Sequence, residues 1–348
     1  MANFLFNKVH FITNTDCFIN HHYHIYIEKE GQQVIRAYEA DNNNKSEHIK
    51  STIGEFFERE VLMNNNPISN NECQMISMVT GNKIIVPVSE LIFQNKFVDS
   101  CGMASHTLSS QLIWKAFKEN FERQSYISSV LFHLPAIELN IQSSYKLCNI
   151  HNYLKNYLDH IKYYNISLSN NIFVVLAIGY SNNAKAAGLG TSKNIELAIE
   201  KAQKEILQYF AVSSNKYNRL NEEKQQNINE ENNKDVYHQK FEAMSVNAFR
   251  DSYEYLGNNR RIAISELASP KLMEMNSMIK NNFIKLNMEP YIALFNGRGN
   301  SGVKVAKIKD FNWFPHMNPK LYKKDLISSL ESRFGWKRKN YNDWLPFA

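Results

Sequence analysis

The sequence predicts an α/β fold in which strands and helices alternate. Three observations point there. Segments with apolar residues at helical spacing alternate with short apolar or alternating segments. Turn residues such as Gly31-Gln32, Asn64-Asn65-Asn66-Pro67 and Gly188-Leu189-Gly190 punctuate them. The 348 residues are 43% hydrophobic and 12% aromatic, enough for a sizeable core.

Taken in order, strands are predicted at 9–12 and 23–28, the second alternating and closed by Gly31-Gln32. After the loop 41–45, Ser46 caps a helix reaching residue 63. Strands follow at 75–80 and 84–88, then a helix over 109–129. Aromatic and Leu spacing predicts another helix over 145–164. The apolar run 172–180 reads as a buried strand, far short of the ~20 residues of a membrane span. A glycine loop, 188–190, feeds a helix over 193–210. The segment 213–240 is polar and reads as a mobile insertion or a solvated helix. A helix over 269–286, strands at 291–295 and 303–308 and an aromatic tail complete the chain. No linker divides it, so 1–348 reads as a single domain.

Charge and cysteine usage exclude several classes. Lys+Arg 40 against Asp+Glu 34 gives +6, spread along the chain, so nucleic acid is not the expected partner. The one basic block, Lys337-Arg338-Lys339, reads as a solvated terminal patch. Cys17, Cys73, Cys101 and Cys148 form no CxxC pair, which argues against a zinc site, a redox motif or a disulfide framework. The N-terminus lacks a signal pattern. The expectation is a soluble, cytoplasmic protein with no membrane association.

The informative feature is a quasi-repeat of acidic helices. The first carries Ser51, Glu55, Glu58 and Arg59, the second Lys115, Glu119, Glu122 and Arg123, the third Lys201, Glu205 and Gln208. Spacings of three and four place each set on one helix face. The apolar stripe opposite is Ile49, Ile53, Phe56, Phe57 and Val61 in the first helix, Ile113, Phe117 and Phe121 in the second, and Ile195, Ala202 and Ile206 in the third. The plain alternative is three solvated faces, since Glu is common on surfaces. Recurrence on three helices favours convergence. Converging carboxylates repel unless a cation sits between them, and Mg²⁺ takes oxygen ligands and bridges carboxylates to phosphates. Arg59 and Arg123 would add bidentate contacts to phosphate or carboxylate.

These residues resemble the YcaO family, which binds ATP through glutamate-rich helices rather than a P-loop. The resemblance rests on S-x3-E-x2-E-R from Ser51 to Arg59, on Cys101–His106 ahead of the Glu119/Glu122-Arg123 helix, on Ala187–Gly190 ahead of the Glu205/Gln208 helix, and on Phe314-Pro315-His316-Met317 with the tail Leu345-Pro346-Phe347-Ala348. It covers about residues 30 to 348 and is most similar to the cyclodehydratase subunit of microcin-type azole synthetases. It implies a YcaO-like fold, mixed β-sheets flanked by helices with an ATP/Mg cleft between glutamate-bearing helices. It implies an enzyme that forms thiazoline or oxazoline rings in a ribosomally made precursor peptide. A Cys, Ser or Thr side chain attacks the preceding carbonyl, the resulting oxyanion is phosphorylated by ATP, and phosphate leaves. By the same resemblance, Ser51, Glu55, Arg59, Arg123 and Gln208 contact nucleotide or its metal. Glu58, Glu119, Glu122 and Glu205 are the Mg²⁺ ligands, and the Ala348 carboxylate is a proton acceptor. Lys45 is a weaker candidate for a phosphate-contacting lysine, and Arg298, in a glycine-flanked loop, could contact ATP but reads first as a turn residue.

The implied partners are the precursor peptide, a ubiquitin-activating-enzyme-like or winged-helix subunit that binds its leader, and a flavin dehydrogenase. Alternatives within the family are thioamide or amidine formation, favoured by the single proline of the tail, and an ATP-binding accessory of another modification enzyme. Outside it stands a helical interaction protein. Other motifs read as structural. Gly188–Lys193 lacks P-loop spacing and suits a helix-capping role for Thr191 or Ser192. His22 and His24 share a strand face but have no third ligand. Cys101 near His106 has no base–orienter set.

Overall fold

A computed structural model describes residues 9–14, 22–27, 35–40, 45–63, 71–93, 97–219, 236–257, 260–267, 274–296 and 302–347. For 9–14, 22–27, 35–40, 45–49, 211–219 and 236–238 the backbone alone is described. In chain order the elements are β1 (Val9–Asn14), β2 (His22–Ile27), β3 (Ile35–Ala40), α1 (Lys45–Leu62), β4 (Glu72–Ser77), β5 (Lys83–Pro87), β6 (Met103–His106), α2 (Ser109–Phe132), β7 (Ile137–Asn140), α3 (Tyr145–Leu154), β8 (His160–Asn165), β9 (Phe173–Tyr180), β10 (Lys185–Ser192), α4 (Ile195–Arg219), α5 (Val236–Ala243), α6 (Val246–Ser252), β11 (Arg261–Ala263), α7 (Met275–Lys285), β12 (Tyr291–Asn296), β13 (Lys304–Lys309) and α8 (Lys324–Phe334). None of the described helices is long and apolar enough to cross a membrane.

The chain divides into two compact units. The first takes Met1–Asn120, Phe210–Asn227 and Pro290–Lys309; the second takes Phe121–Tyr209, Ile228–Glu289 and Asp310–Ala348. The boundary therefore falls inside α2, after Asn120.

The first unit holds an antiparallel meander, β1-β2-β3, and an antiparallel five-stranded sheet ordered β5-β4-β12-β13-β6. Helix α1 contacts β2 and β3 of the meander and β6 and β13 of the larger sheet. Phe56, Phe57 and Val61 of α1 pack with Met75, Val86, Met103, Ala293 and Val305; β4 and β5 alternate exposed and buried residues, as a half-buried sheet requires, whereas β6 and β13 are buried at successive residues. One position departs from expectation. Ile53 is 37% exposed, whereas Thr52 is fully buried. A β-carbon on Gly54 would lie 2.7 Å from Ser105 Oγ, so α1 approaches β6 closely on that flank and its buried stripe is displaced toward residues 52, 56 and 60.

The second unit holds the sheet β10-β9-β8-β7-β11, antiparallel except for the β7–β11 pair. Strand β9 is buried from Phe173 to Gly179, as its unbroken apolar run dictates. Two sequence readings are corrected here. The helix expected over 145–164 ends at Leu154, and His160–Asn165 is strand β8, with Tyr163 opposite Ala177 and Tyr164 opposite Leu176. Ile161, Tyr163 and Tyr164 suit a pleated surface, and pairing with β9 outweighs the local helical period. The expected glycine loop at 188–190 is part of strand β10, with Gly188 opposite Ala177 and Gly190 opposite Val175. The helix cap falls at Asn194, whose Oδ1 accepts from Leu197 N at 3.0 Å, rather than at Thr191 or Ser192. Helix α4 continues to Arg219, so the polar segment begins as helix. Residues 220–235 lie outside the described residues.

Candidate functional site

In the first unit the acidic face of α1 meets β6. Glu58 Oε1 accepts a hydrogen bond from Ser105 Oγ at 2.8 Å. Gly54, one turn earlier, permits the approach that brings Ser105 within reach. Glu55 pairs with Arg59 one turn on, at 2.5 Å. Burial pushes the Glu58 carboxyl up to about 7, and the like charges of Glu55 and Glu119 push the same way. The Ser105 hydrogen bond and Lys115 act against them without prevailing. Glu55, Glu58 and Glu119 thus share one electrostatic environment. Ser51 is exposed on the same helix.

In the second unit β10 organises the acids. Thr191 Oγ1 donates to Glu122 Oε2 at 2.7 Å, and Glu122 is buried. Two residues back along the strand, Leu189 N donates to Glu205 Oε2, also at 2.7 Å. Positions i and i+2 of a strand are roughly 7 Å apart, so one short edge fixes two carboxylates. Lys201 Nζ reaches the Thr191 carbonyl at 3.0 Å and covers the same edge. The glycines make this possible. A β-carbon on Gly188 would lie 2.1 Å from Ala202 O and one on Gly190 2.1 Å from Ala198 O, so β10 and α4 are in backbone contact. Gln208 lies partly buried on α4, three residues beyond Glu205. Glu122 and Arg123 follow Glu119 on the single helix α2. The Arg123 guanidinium sits 5.1 Å from the centre of the Phe347 ring and 3.5 Å from Met317 Sδ.

Sequence reasoning named the acids and missed what holds them. Ser105, Thr191 and the Leu189 N–H all lie in or beside segments singled out for other reasons. Ala348 and Arg298, and the side chains of Lys45, His22 and His24, lie outside the described residues. Cys101 is buried, and His106 Nδ1 accepts from Leu108 N at 2.9 Å, a turn-closing bond rather than activation of a thiol.

A family model described as "YcaO cyclodehydratase, ATP-ad Mg2+-binding" matches residues 40–282. The chain belongs to the YcaO family. A search of curated protein sequences finds no match. In fold, this YcaO protein is similar to a chain of the E. coli microcin synthetase McbBCD complex, with a TM-score of 0.71, 15% identity and 92% of each chain covered. It is similar to a chain of that complex with pro-MccB17 bound, with a TM-score of 0.72, 17% identity and coverage of 100% of this chain and 98% of the other. It is also similar to YcaO from Methanopyrus kandleri bound with AMPPCP and Mg²⁺, with a TM-score of 0.67, 12% identity and coverage of 87% and 85%.

ATP and Mg²⁺ are the cofactors of this YcaO protein, and its donor set fits them. Among the described residues, no three carboxylate, His or Cys side chains meet as a ready-made metal cage. Magnesium seldom uses one: it keeps waters and takes one or two carboxylates plus phosphate oxygens. Glu58, pushed toward its neutral form by burial and two neighbouring acids, is the kind of group a cation relieves. Mg²⁺ binds ionised carboxylates, so with Glu58 as one of its ligands, as proposed below, Mg²⁺-dependent nucleotide binding is expected to strengthen as pH rises through about 7. Ser105→Ala removes the hydrogen bond that lowers the Glu58 pKa. Its binding midpoint is expected at higher pH, with affinity at neutral pH about tenfold weaker, the usual cost of a lost supporting partner. A calorimetric pH series checks this, and an unmoved or lowered midpoint contradicts it.

Proposed function

We propose that this YcaO protein is an ATP-dependent cyclodehydratase that forms azoline rings from Cys, Ser or Thr residues of a ribosomally made precursor peptide. The observation that carries the azoline reading is the seating of the tail. Phe347 is buried against Arg123 and Tyr126, so the chain's last described residue lies beside a residue proposed to hold phosphate. Glu58, Glu119, Glu122 and Glu205 hold Mg²⁺; Ser51, Glu55, Arg59 and Gln208 position the nucleotide. Arg123 offers planar, permanently charged donors to phosphate oxygens. Bound Mg·ATP supplies the phosphoryl group that turns an amide oxygen into a leaving group. The residues around it fix the geometry and stabilise developing charge. The Ala348 carboxylate is the proposed proton acceptor. A separate leader-binding subunit presents the peptide, and a flavin dehydrogenase oxidises the product.

The test is co-expression with the precursor and the partner subunit, read by mass spectrometry. Loss of one water per modified Cys, Ser or Thr is expected. Exchange of oxygen for sulfur would replace this reading with thioamide formation, and an unmodified peptide would leave an accessory role.

A further inference from the structure

The tail is held in the second unit by more than packing. Tyr253 donates its hydroxyl proton to the Pro346 carbonyl oxygen at 2.8 Å. The same hydroxyl lies 2.9 Å from the Tyr126 hydroxyl. A phenol has one proton, and that of Tyr253 is committed to a carbonyl that only accepts. Tyr126 is therefore the donor in the pair, and the bonds run one way, from Tyr126 to Tyr253 to Pro346. Both rings are buried. Burial pushes both phenols above their ordinary range, so the relay stays protonated at working pH. Phe347 lays its ring on Tyr126, centroids 5.1 Å apart, and on the Arg123 guanidinium. Arg123 and Tyr126 are neighbours at i and i+3 on α2. One turn of that helix, with one hydroxyl from the turn after α6, grips two consecutive tail residues.

We propose that Tyr253, ordered by Tyr126, is a latch that holds Pro346 and so seats the Phe347 ring on Arg123. It is a positioning residue that acts through the tail and not on the reactants. Its catalytic consequence rests on the proposed function; the latch itself does not.

The fold contains a control. Tyr255, two residues on, also bonds α2 through its hydroxyl, in a part-buried contact with 2.9 Å between that hydroxyl and Ser129 Oγ, and stacks on His133. Its bond goes to the helix and not to the tail. The experiment uses the full chain with Tyr253→Phe, Tyr126→Phe and Tyr255→Phe, each of which keeps its ring and its packing. Carboxypeptidase release of C-terminal residues is followed by intact mass, alongside ring formation with precursor, partner and ATP. Tyr253→Phe is expected to speed release about tenfold, the weight of one buried hydrogen bond. Tyr126→Phe should fall between it and wild type, because Tyr253 keeps Pro346. Tyr255→Phe should stay within about twofold of wild type even where its Tm falls as far. With Tyr253→Phe, turnover should drop about tenfold while KM for ATP changes less than about twofold, a split that general loss of stability does not produce. Equal release from wild type and Tyr253→Phe, or equal release from Tyr253→Phe and Tyr255→Phe, overturns the latch. Wild type that releases its tail slowly yet makes no rings overturns the proposed function and leaves the latch standing.

Discussion

Glu58→Gln is expected to abolish Mg²⁺-dependent ATP binding and, at the same time, to stabilise the protein in the absence of nucleotide above neutral pH. Both effects come from one carboxyl group. Its pKa is about 7 in the folded chain against 4.5 ordinarily. Between those values the folded state holds a proton that the unfolded state has lost, so stability falls as pH rises from about 4.5 to 7. Above 7 the folded protein carries an ionised group that its surroundings disfavour. Gln has the same shape, still accepts from Ser105, and carries no charge. The advantage in Tm of the variant over wild type should therefore grow through that window and then level off. ATP affinity should fall by at least roughly a hundredfold, beyond the 10- to 100-fold typical of supporting partners. Thermal melts across pH with and without Mg·ATP check both halves. A variant that binds ATP like wild type contradicts the assignment of Glu58.

Gly188→Ala carries the second large effect, through backbone contact. The added methyl would stand 2.1 Å from Ala202 O and 3.2 Å from Glu205 Cβ. Neither neighbour is the free end of a flexible chain, so β10 and α4 must separate. That strains a buried strand pair and draws Glu205 away from the Leu189 N–H. Overpacking of this kind costs about 3 kcal/mol or more. For a unit of this size that lowers Tm by roughly 6–12 °C. Mg²⁺-dependent ATP binding should fall sharply even at temperatures where the variant is folded. A melt within about 2 °C of wild type would show that the two backbones are not in contact, and intact ATP binding would contradict the role given to Glu205.

The acids were legible in the sequence because their arrangement is local. Three- and four-residue spacings on a helix fix a face wherever the helix lies, so Glu55 with Glu58 and Glu119 with Glu122 could be paired on paper. The groups that hold them were not legible, because those pairings are long-range. Ser105 reaches Glu58 across 47 residues and Thr191 reaches Glu122 across 69. Only adjacency to the Cys101–His106 and Ala187–Gly190 motifs hinted at either. Strand β8 was misread for a related reason. Its Ile and Tyr residues fit both periods over a short window, and β9 decided between them. Glycines 188 and 190 read as a loop because glycine is the commonest loop signal. Here they record a strand pressed against a helix backbone.

The most direct measurement is a crystal structure of the chain with Mn²⁺ and a non-hydrolysable ATP analogue, with the metal located by its anomalous signal. Peaks within coordination distance of carboxylate oxygens of Glu58, Glu119, Glu122 or Glu205, beside the analogue's phosphates, are the expected result. Metal and nucleotide bound elsewhere, with those four side chains uncoordinated, would contradict the account at its centre.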